Sequence, residues 1–386
     1  MNKLLSIVVP IKNGYEYLKS IIDKVEELDT DILELIIHDN TEDNRQIIDI
    51  LKNYNCKNIK YYHQIEPLSM VQNFEKGIYF ATGKYLCILG ADDNITSKII
   101  DVAKYMDENG IESAVFKKAF YNWPDMKFRA HQNRPSLTIY KSRGHIKEIN
   151  IENEFQIIMQ NGCISLGKLP EPYHGIILRE CLEKVKEISG TYIPAGCPDM
   201  AMAISLSQVV KKHVFIDAPI TLSGQSFNSA GGKGARGEHK GDLKNKSFLP
   251  LNVEETWPSF IPRLWTGPSI YADSMYNALK EMRQETKLSL FNKEMNYANI
   301  ISFFPEYIGI VKPFMDEGYK QKLRVAKYSI RIFVKRLFFY IKNWTVANLR
   351  ISINKVYYNV NSSLEAANLV DEYIDTMIKG VPYLRS

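Results

Sequence analysis

Polar side chains able to bind a charged ligand follow strand-like runs in the first hundred residues. Asn13 follows the first run, Asp39 follows the second, and the pair Asp92 and Asp93 follows a run that ends near residue 89. Asp and Asn are also ordinary residues at strand ends and helix caps, so no one of these positions is diagnostic alone. Carboxylates are, however, the ligands that Mg²⁺ and Mn²⁺ take together with phosphate oxygens. Their recurrence at successive strand ends favours a binding site.

The residues around these positions alternate between strand and helix patterns. Short apolar runs predict strands over 4–9, 33–37, 59–63 and 84–89. Apolar spacing and capping residues predict helices over about 15–28, 42–53 and 70–81. Strands that alternate with helices in this way form a mostly parallel sheet with helices on both faces. In such a sheet ligands bind beyond the carboxyl ends of the strands, where the polar residues lie.

Length and composition predict a folded protein of two or three units. Of the 386 residues 45% are hydrophobic and 24% are charged, which are globular values and exclude wholesale disorder. The five cysteines form no CxxC pair, so neither a zinc ribbon nor a disulfide framework is indicated, and a cytoplasmic location is expected. Neither a signal-peptide pattern nor 18 or so uninterrupted apolar residues occur, so any membrane contact is expected to be peripheral.

Four stretches of the first hundred residues carry a more specific pattern. They are SIVVPIKNGY (6–15), ELIIHDNT (34–41), NFEKGIYFATG (73–83) and KYLCILGADDN (84–94). In order and spacing this set resembles the family 2 glycosyltransferases, and the match is looser up to about residue 245. The resemblance implies a GT-A fold, which is an α/β, Rossmann-like and mostly parallel sheet with helices on both faces, here followed by a mainly helical C-terminal region. It also implies an inverting transferase of the bacterial glycan-assembly type.

The resemblance assigns donor-binding roles to residues at the strand ends. Pro10 and Asn13 would border the nucleotide, and Asp39 would accept a hydrogen bond from the base, which is usually uracil in similar enzymes. Asp93 would be the ligand of a divalent metal, Mn²⁺ or Mg²⁺, and Asp92 would lie nearer the ribose or the sugar. Many relatives have an acidic residue where this chain has Gly90. The metal site is therefore expected to be lean.

Two further positions are implied on the acceptor side. Asp199, in the string Gly196-Cys-Pro-Asp-Met200, matches the position of the family's general base, which would take the proton from the acceptor hydroxyl. The alternative for Asp199 is a carboxylate that only caps the helix that follows it. His174 lies where similar enzymes line the acceptor pocket, and a structural histidine is an equal alternative.

A glycine-rich segment after Gly224 is a second candidate for donor binding. Residues 232–237 spell GxGxxG, but the polar residues that follow end in another glycine, which excludes a dinucleotide-binding turn. The segment also carries Lys233, Arg236 and His239. It is predicted to be a lid whose Lys233 and Arg236 close on the diphosphate, with His239 as an additional metal ligand. A mobile surface loop stays the alternative.

The chain is expected to divide into three parts. These are a catalytic domain over 1–245 with a nucleotide-binding half (1–100) and an acceptor half (101–245), a Pro-rich connection with helices over 246–317, and a basic helical region over 318–386. In the last part a helix is predicted from the capping box at Ser362 to a point before Gly380.

A basic amphipathic helix is predicted over 319–344. Between residues 318 and 364 the chain has ten Lys and Arg and no Asp or Glu. Apolar residues at spacings of three and four form one stripe: Leu323, Ala326, Ile330, Phe333, Leu337, Tyr340 and Trp344. The stripe is expected to lie on an anionic membrane, and packing on the catalytic domain or on another subunit is the alternative.

Together these observations predict a hexosyl- or N-acetylhexosaminyltransferase. Its expected partners are a nucleotide-sugar donor, usually a UDP-sugar, a glycan or lipid-linked glycan acceptor, an anionic membrane surface and further copies of the chain. No nucleic acid is expected, because no recognised module accompanies the basic tail. The rival hypotheses are a non-catalytic module that binds an anionic glycan or lipid, and a nucleotidyltransferase. The second would need a basic glycine-rich loop after the first strand, which Pro10–Gly14 does not supply.

Overall fold

The computed structural model describes residues 3–54, 57–126, 134–238, 240–243, 249, 253–315, 318–348 and 354–377. Its first part has the predicted alternation of strands and helices. The elements are β1 (Leu5–Ile11), α1 (Tyr15–Leu28), β2 (Leu33–Asp39), α2 (Arg45–Leu51), β3 (Ile59–His63), α3 (Met70–Phe80) and β4 (Tyr85–Ile88). β4, β1, β2 and β3 are adjacent in this order and parallel. Every residue of β1 and β2 is buried, because helices cover both faces of the sheet.

β1 extends two residues beyond the predicted end and includes Pro10. The pairing of β1 with β4 ends at Val8 and Ile88, whereas the pairing with β2 continues to Ile11 and Asp39. Pro10 is therefore accommodated where β4 has already ended, so no sheet hydrogen bond needs the N–H that proline lacks.

The second part of the chain widens the sheet and changes its strand directions. Its strands are β5 (Asn94–Ile95), β6 (Ser113–Asn122), β7 (Ser136–Tyr140), β8 (Ile146–Glu148), β9 (Ile176–Leu178) and β10 (His213–Gln225). Its helices are α4 (Ile99–Glu108), α5 (Ile151–Gln160), α6 (Arg179–Ser189) and α7 (Pro198–Leu206). β9 is antiparallel to both β4 and β6, and β10 runs parallel to β6. The short β9 therefore links the four parallel strands of the first part to β6 of the second part.

The C-terminal part is mainly helical, as expected. It contains α8 (Ala230–Ala235), α9 (Val253–Thr256), α10 (Gly267–Glu281), α11 (Lys293–Phe303), α12 (Ile308–Val311), α13 (Tyr319–Asn348), β11 (Asn354–Tyr358) and α14 (Ser363–Met377). Half of the predicted capping box is present, because Glu365 N donates to Ser362 Oγ (3.1 Å). Glu365 Oε2 accepts from Asn361 N (2.9 Å), one residue before the cap, and not from Ser362 N as a capping box requires. α10 packs on α7, and Cys197 N donates to Ser274 Oγ (3.0 Å).

Residues 354–377 return to the main sheet instead of forming a separate tail. β11 pairs antiparallel with β7 at the sheet edge. α14 packs on α1 and β10, and Val370 and Ile374 belong to the same apolar core as β1 and β2. Lys24 Nζ lies 2.9 Å from Asp371 Oδ2 across this contact. The boundary expected at 318 therefore does not separate an independent unit, since the end of the chain completes the core of its first part.

α13 is a 30-residue helix with two different apolar faces. Through Val325, Tyr328 and Ile332 it packs on the chain near α11. The predicted stripe lies on the opposite face, where Ile330, Phe333 and their neighbours are exposed. Trp344 lies beyond the described side chains. Within the described parts of the chain, no helix is both long and apolar enough to cross a membrane.

Candidate active site

A cavity of about 950 Å³ opens beyond the carboxyl ends of β1, β2 and β4. This is the place that the alternation of strands and helices predicts. Its polar lining combines two lysines with carboxylate, amide and hydroxyl groups. They include Lys12, Asn13, Thr41, Asp43, Gln46, Asp92, Ser226 and Lys233. The sequence-predicted residues Asn13, Asp92 and Lys233 therefore meet at one cavity.

Asn13 shapes the turn between β1 and α1. Its φ of 65° lies in the left-handed region, which Asn tolerates better than most residues. Asn13 N donates a hydrogen bond to Thr41 Oγ1 at 2.7 Å, which ties the end of β1 to the loop after β2. The turn thus presents Lys12 and Asn13 to the cavity.

Asp39 lies below the cavity and does not line it. Its Oδ2 accepts hydrogen bonds from Tyr15 Oη and Tyr61 Oη, both at 2.7 Å, and its Oδ1 accepts one from Thr41 N at 2.9 Å. The carboxylate is fully buried. Pro10 is likewise buried within β1. In this structure Asp39 orders the strand ends, and a nucleotide base would reach it only after Tyr15 and Tyr61 had moved.

Asp92 presents its carboxyl group to the cavity. Its Oδ2 accepts hydrogen bonds from Ser226 N (3.1 Å) and Ser226 Oγ (2.8 Å). Burial, and then the neighbouring charge of Asp93, raise the pKa of Asp92 to about 6, against the opposing effect of Ser226. A cation in the cavity would favour the ionised form of Asp92.

Asp93 faces the protein interior, where donors surround both of its carboxylate oxygens. Oδ1 accepts from Gly224 N (2.8 Å), and Oδ2 accepts from Gly90 N (2.7 Å) and Tyr173 Oη (3.1 Å). His174 Nε2 also lies 3.1 Å from Oδ2. Burial opposes the charge, but His174 and the two backbone amides outweigh it and hold the pKa of Asp93 below its ordinary value.

His174 is buried against Asp93 and not in an open pocket. Its Nδ1 lies 3.2 Å from Thr221 Oγ1 of β10, and its Nε2 contacts Asp93. Its φ of 61° is left-handed, and His174 N donates to Ile88 O at 3.0 Å. These contacts favour a structural role for His174. The residue joins β4 to β10 beside Asp92 and Asp93.

Asp199 stands in the first turn of α7, directly after Pro198. Burial raises the pKa of its carboxyl above the ordinary value, while Lys118 and His174 act in the opposite direction. The charge of Asp93 raises it further. Asp199 is therefore within electrostatic reach of both the acidic pair and Lys118 of β6, although it does not line the 950 Å³ cavity.

The predicted lid is partly a capped helix. Ser229 Oγ accepts from Gly232 N (3.0 Å) at the start of α8, and Lys233 of this helix lines the cavity. Arg236 points elsewhere, because its guanidinium pairs with Glu238 (2.6 Å) and donates to Phe227 O (2.6 Å). His239 lies outside the described residues. Of the predicted diphosphate ligands, Lys233 alone is thus at the cavity among the described side chains.

The acidic pair offers a divalent metal few protein oxygen ligands. The point where a Cβ on Gly90 would lie is 3.2 Å from Asp92 Oδ1 and 3.0 Å from Asp93 Oδ2, so both carboxylates approach the same place. No group of three His, Cys, Asp or Glu among the described residues could hold an ion by itself. The residues fit a lean site in which Asp92 is the protein ligand and phosphate oxygens supply the rest. The contacts of Asp93 make it less suited to this role than Asp92.

Several site residues had no signal in the sequence. Lys12 directly precedes the predicted site residue Asn13, and only its position at the end of a strand could have indicated a role. Ser226 reaches Asp92 from a segment 134 residues away, and Lys118 approaches Glu171 from the middle of β6. Long-range pairing of this kind leaves no local pattern.

A mostly parallel sheet that carries a polar cavity and a buried acidic pair at its strand ends defines the GT-A class of α/β proteins. Comparison with known folds agrees. S. aureus TarS 1-349, in a complex with UDP-GlcNAc, is 15% identical, matches 85% of this chain and 88% of its own, and has a TM-score of 0.52. A further crystal structure of S. aureus TarS 1-349 gives a TM-score of 0.50 at the same identity and coverage.

The sequence comparison points the same way. Residues 6–168 match the family model described as Glycosyl transferase family 2, so this segment is similar to that family. A search of curated proteins finds no match.

Proposed function

We propose that the chain is an inverting glycosyltransferase that moves a hexosyl or N-acetylhexosaminyl group from a nucleoside-diphosphate sugar to an acceptor hydroxyl. The observation that carries this proposal is the cavity at the strand ends, where Lys12 and Lys233 face the carboxyl of Asp92. Two lysines suit the negative charge of a diphosphate. UDP is the proposed nucleotide, because TarS, with the same fold, was crystallised with UDP-GlcNAc.

Asp199 is the proposed general base. In a direct displacement the acceptor oxygen forms a bond to the anomeric carbon while the bond to the diphosphate oxygen breaks. The acceptor proton goes to the Asp199 carboxylate, and the leaving diphosphate keeps the bonding electron pair. A raised pKa suits a carboxylate that must accept a proton near neutral pH. The charge of Lys118 opposes this rise in pKa and favours the ionised form of Asp199.

A divalent metal is proposed to be held through Asp92. Such an ion, Mn²⁺ or Mg²⁺, would neutralise charge that develops on the leaving diphosphate. Asp92 would provide the carboxylate, while Ser226 fixes its orientation through two hydrogen bonds. Asp93 is proposed to act as the support of this arrangement, because it anchors Gly90, Gly224 and His174.

The outer face of α13 is proposed to rest on an anionic membrane at the cytoplasmic side. Leu323, Ile330, Phe333 and Leu337 are about half to two-thirds exposed on that face. No acidic residue occurs within the helix. The helix therefore carries no carboxylate that an anionic surface would repel, and its cations would be attracted to such a surface. A lipid-linked glycan would then be an accessible acceptor.

Incubation of the protein and Mn²⁺ with a panel of nucleotide sugars tests the proposed activity. Hydrolysis of one donor, slow without an acceptor and dependent on Mn²⁺ or Mg²⁺, is expected. An Asp92→Asn variant should need a much higher metal concentration. A protein that binds no nucleotide sugar and hydrolyses none would instead be a non-catalytic module with this fold.

A further inference from the structure

A second cavity, of about 440 Å³, is lined by Lys118 and Glu171, both of which interact electrostatically with Asp199. β6 and β10 form one wall, the loop before Glu171 forms another, and Tyr271 of α10 closes it. No residue lines both cavities. The second cavity is therefore a separate place for a ligand, which we call the Glu171 pocket.

Glu171 is the unusual residue of this pocket. It is 6% exposed, and its Oε2 is buried without a hydrogen-bond partner among the described residues. Its other oxygen, Oε1, lies 3.7 Å from Lys118 Nζ, which is too long for a hydrogen bond. Burial raises the pKa of Glu171 to about 7, while Lys118 opposes the shift. A buried polar atom of this kind costs stability unless a ligand or water satisfies it.

The pocket and the proposed base share their electrostatic surroundings. The charge of Asp199 contributes to the raised pKa of Glu171 and to that of Tyr271. Lys118 acts on Asp199 and lines the pocket as well. A ligand in the pocket would thus lie within electrostatic reach of Asp199.

We infer that the Glu171 pocket binds a sugar ring of the acceptor through a hydroxyl group that donates a hydrogen bond to Glu171 Oε2. This inference rests on the proposed transferase function and extends it to the acceptor. Phe215 and Tyr271 supply aromatic walls for the apolar face of the ring. Lys168 Nζ lies 4.1 Å from the centre of the Phe215 ring and helps to hold that wall.

The test is binding of simple methyl glycosides, measured by saturation-transfer NMR in the presence of UDP and Mg²⁺. Methyl glucoside, methyl galactoside and methyl N-acetylglucosaminide are the probes. The wild-type protein should bind at least one of them. Glu171→Gln should weaken that binding by about tenfold, because an amide oxygen is a weaker hydrogen-bond acceptor than a carboxylate. Ser165→Trp, at the exposed rim of the pocket, should abolish it by steric blockage.

The controls separate this inference from the proposed function. Glu152→Gln removes a surface carboxylate that pairs with Lys287 and should leave glycoside binding unchanged. UDP affinity, measured in the same samples, should be equal in all the variants. If the wild type binds none of the glycosides, or if both pocket variants bind them as it does, the inference is overturned. Variant-sensitive glycoside binding without any UDP binding would support the pocket and contradict the proposed donor.

Discussion

Asp92 and Asp93 are neighbours in the chain, but their carboxylates have different surroundings. Asp92 borders the cavity of about 950 Å³ at the strand ends, and burial raises its pKa to about 6. Asp93 is held by Gly90, Gly224 and His174, which keep its pKa low. Since Asp93 is ionised at neutral pH, its charge stabilises contacts that join three segments of the sheet.

Replacing Asp93 with Ala is therefore expected to destabilise the fold by about 3 to 5 kcal/mol, because buried donors and His174 lose their partner. Urea unfolding without nucleotide measures this change in free energy. Asp92→Ala should cost clearly less, because burial already disfavours its charge. Equal unfolding midpoints for the two variants would show that Asp93 has no special structural role.

Asp199→Asn is expected to lower the transfer rate by about 10²- to 10⁴-fold while nucleotide affinity is retained. In the wild type, activity should fall as the pH drops through the raised pKa of Asp199, which is above that of an ordinary aspartate. Steady-state rates and calorimetric UDP binding measure both effects. Asp107→Asn, a surface change at the ion pair with Lys84, is the control. Loss of UDP binding with transfer retained would make Asp199 a donor ligand or a cap.

The free energy of unfolding should depend on pH through Glu171. Its folded pKa, about 7, lies above the ordinary 4.5, so the folded state binds more protons between these values. The wild type should therefore lose stability as the pH rises through this window, and Glu171→Gln should lose less, because Asp92 and Asp273 also have raised pKa values. The variant should gain up to about 3 kcal/mol over the wild type at pH 8 and little at pH 4.5. Urea unfolding at both pH values decides this, and an equal difference at each would contradict the assignment.

At the scale of elements, α13 has one apolar face that packs on the rest of the chain and another that is exposed. Val325 is buried against α11, whereas Ile330 and Phe333 are 64% and 65% exposed on the other side. Packing of the outer stripe on the catalytic domain, one of the alternatives raised by the sequence, does not occur among the described side chains. An experiment must therefore distinguish a membrane from a second copy of the chain as the partner of this exposed stripe.

Charge reversal at Lys327, Arg331 and Lys335 is expected to abolish sedimentation with anionic liposomes at low salt. Each cation near the surface contributes roughly 1 kcal/mol of binding, and the reversed charges repel. Reversal of Lys141, Arg143 and Lys147, which are exposed on the catalytic part, is the matched control and should bind like the wild type. A wild type that stays in the supernatant and sediments as a dimer in ultracentrifugation would assign the stripe to a second copy.

At the scale of the whole molecule, the C-terminal helix α14 contributes to the catalytic core. Ile374 is 1% exposed within the core that contains β1 and β2, and Asp371 accepts from Ser97 N (2.9 Å). Residues close to the end of the described chain thus contact and stabilise α1, the loop after β5 and the start of α4.

Ile374→Ala is expected to lower the free energy of unfolding of the whole catalytic part by about 2 to 5 kcal/mol, because it leaves a cavity in this core. Met377→Ala changes an exposed residue of the same helix and should have little effect. Urea unfolding followed by tryptophan fluorescence measures both. A separate early transition, with the main midpoint unchanged, would mean that α14 unfolds independently of the sheet.

Local patterns in the sequence were sufficient for the alternation of strands and helices, the GT-A class and the helix cap at Ser362. Each depends on residues a few positions apart, where period, caps and strand-end polarity act directly on the backbone. Asn13, Asp92 and Lys233 were also predicted to lie at one site, and they line one cavity.

Only the tertiary structure decided how these residues are used. The donors to Asp93 come from Gly90, His174 and Gly224, and Arg236 is diverted to Glu238. The return of β11 to the edge strand β7, and the meeting of Lys118 with Glu171, likewise join distant segments. Such contacts depend on the global packing of layers, so a window of sequence holds no information about which partner a side chain meets.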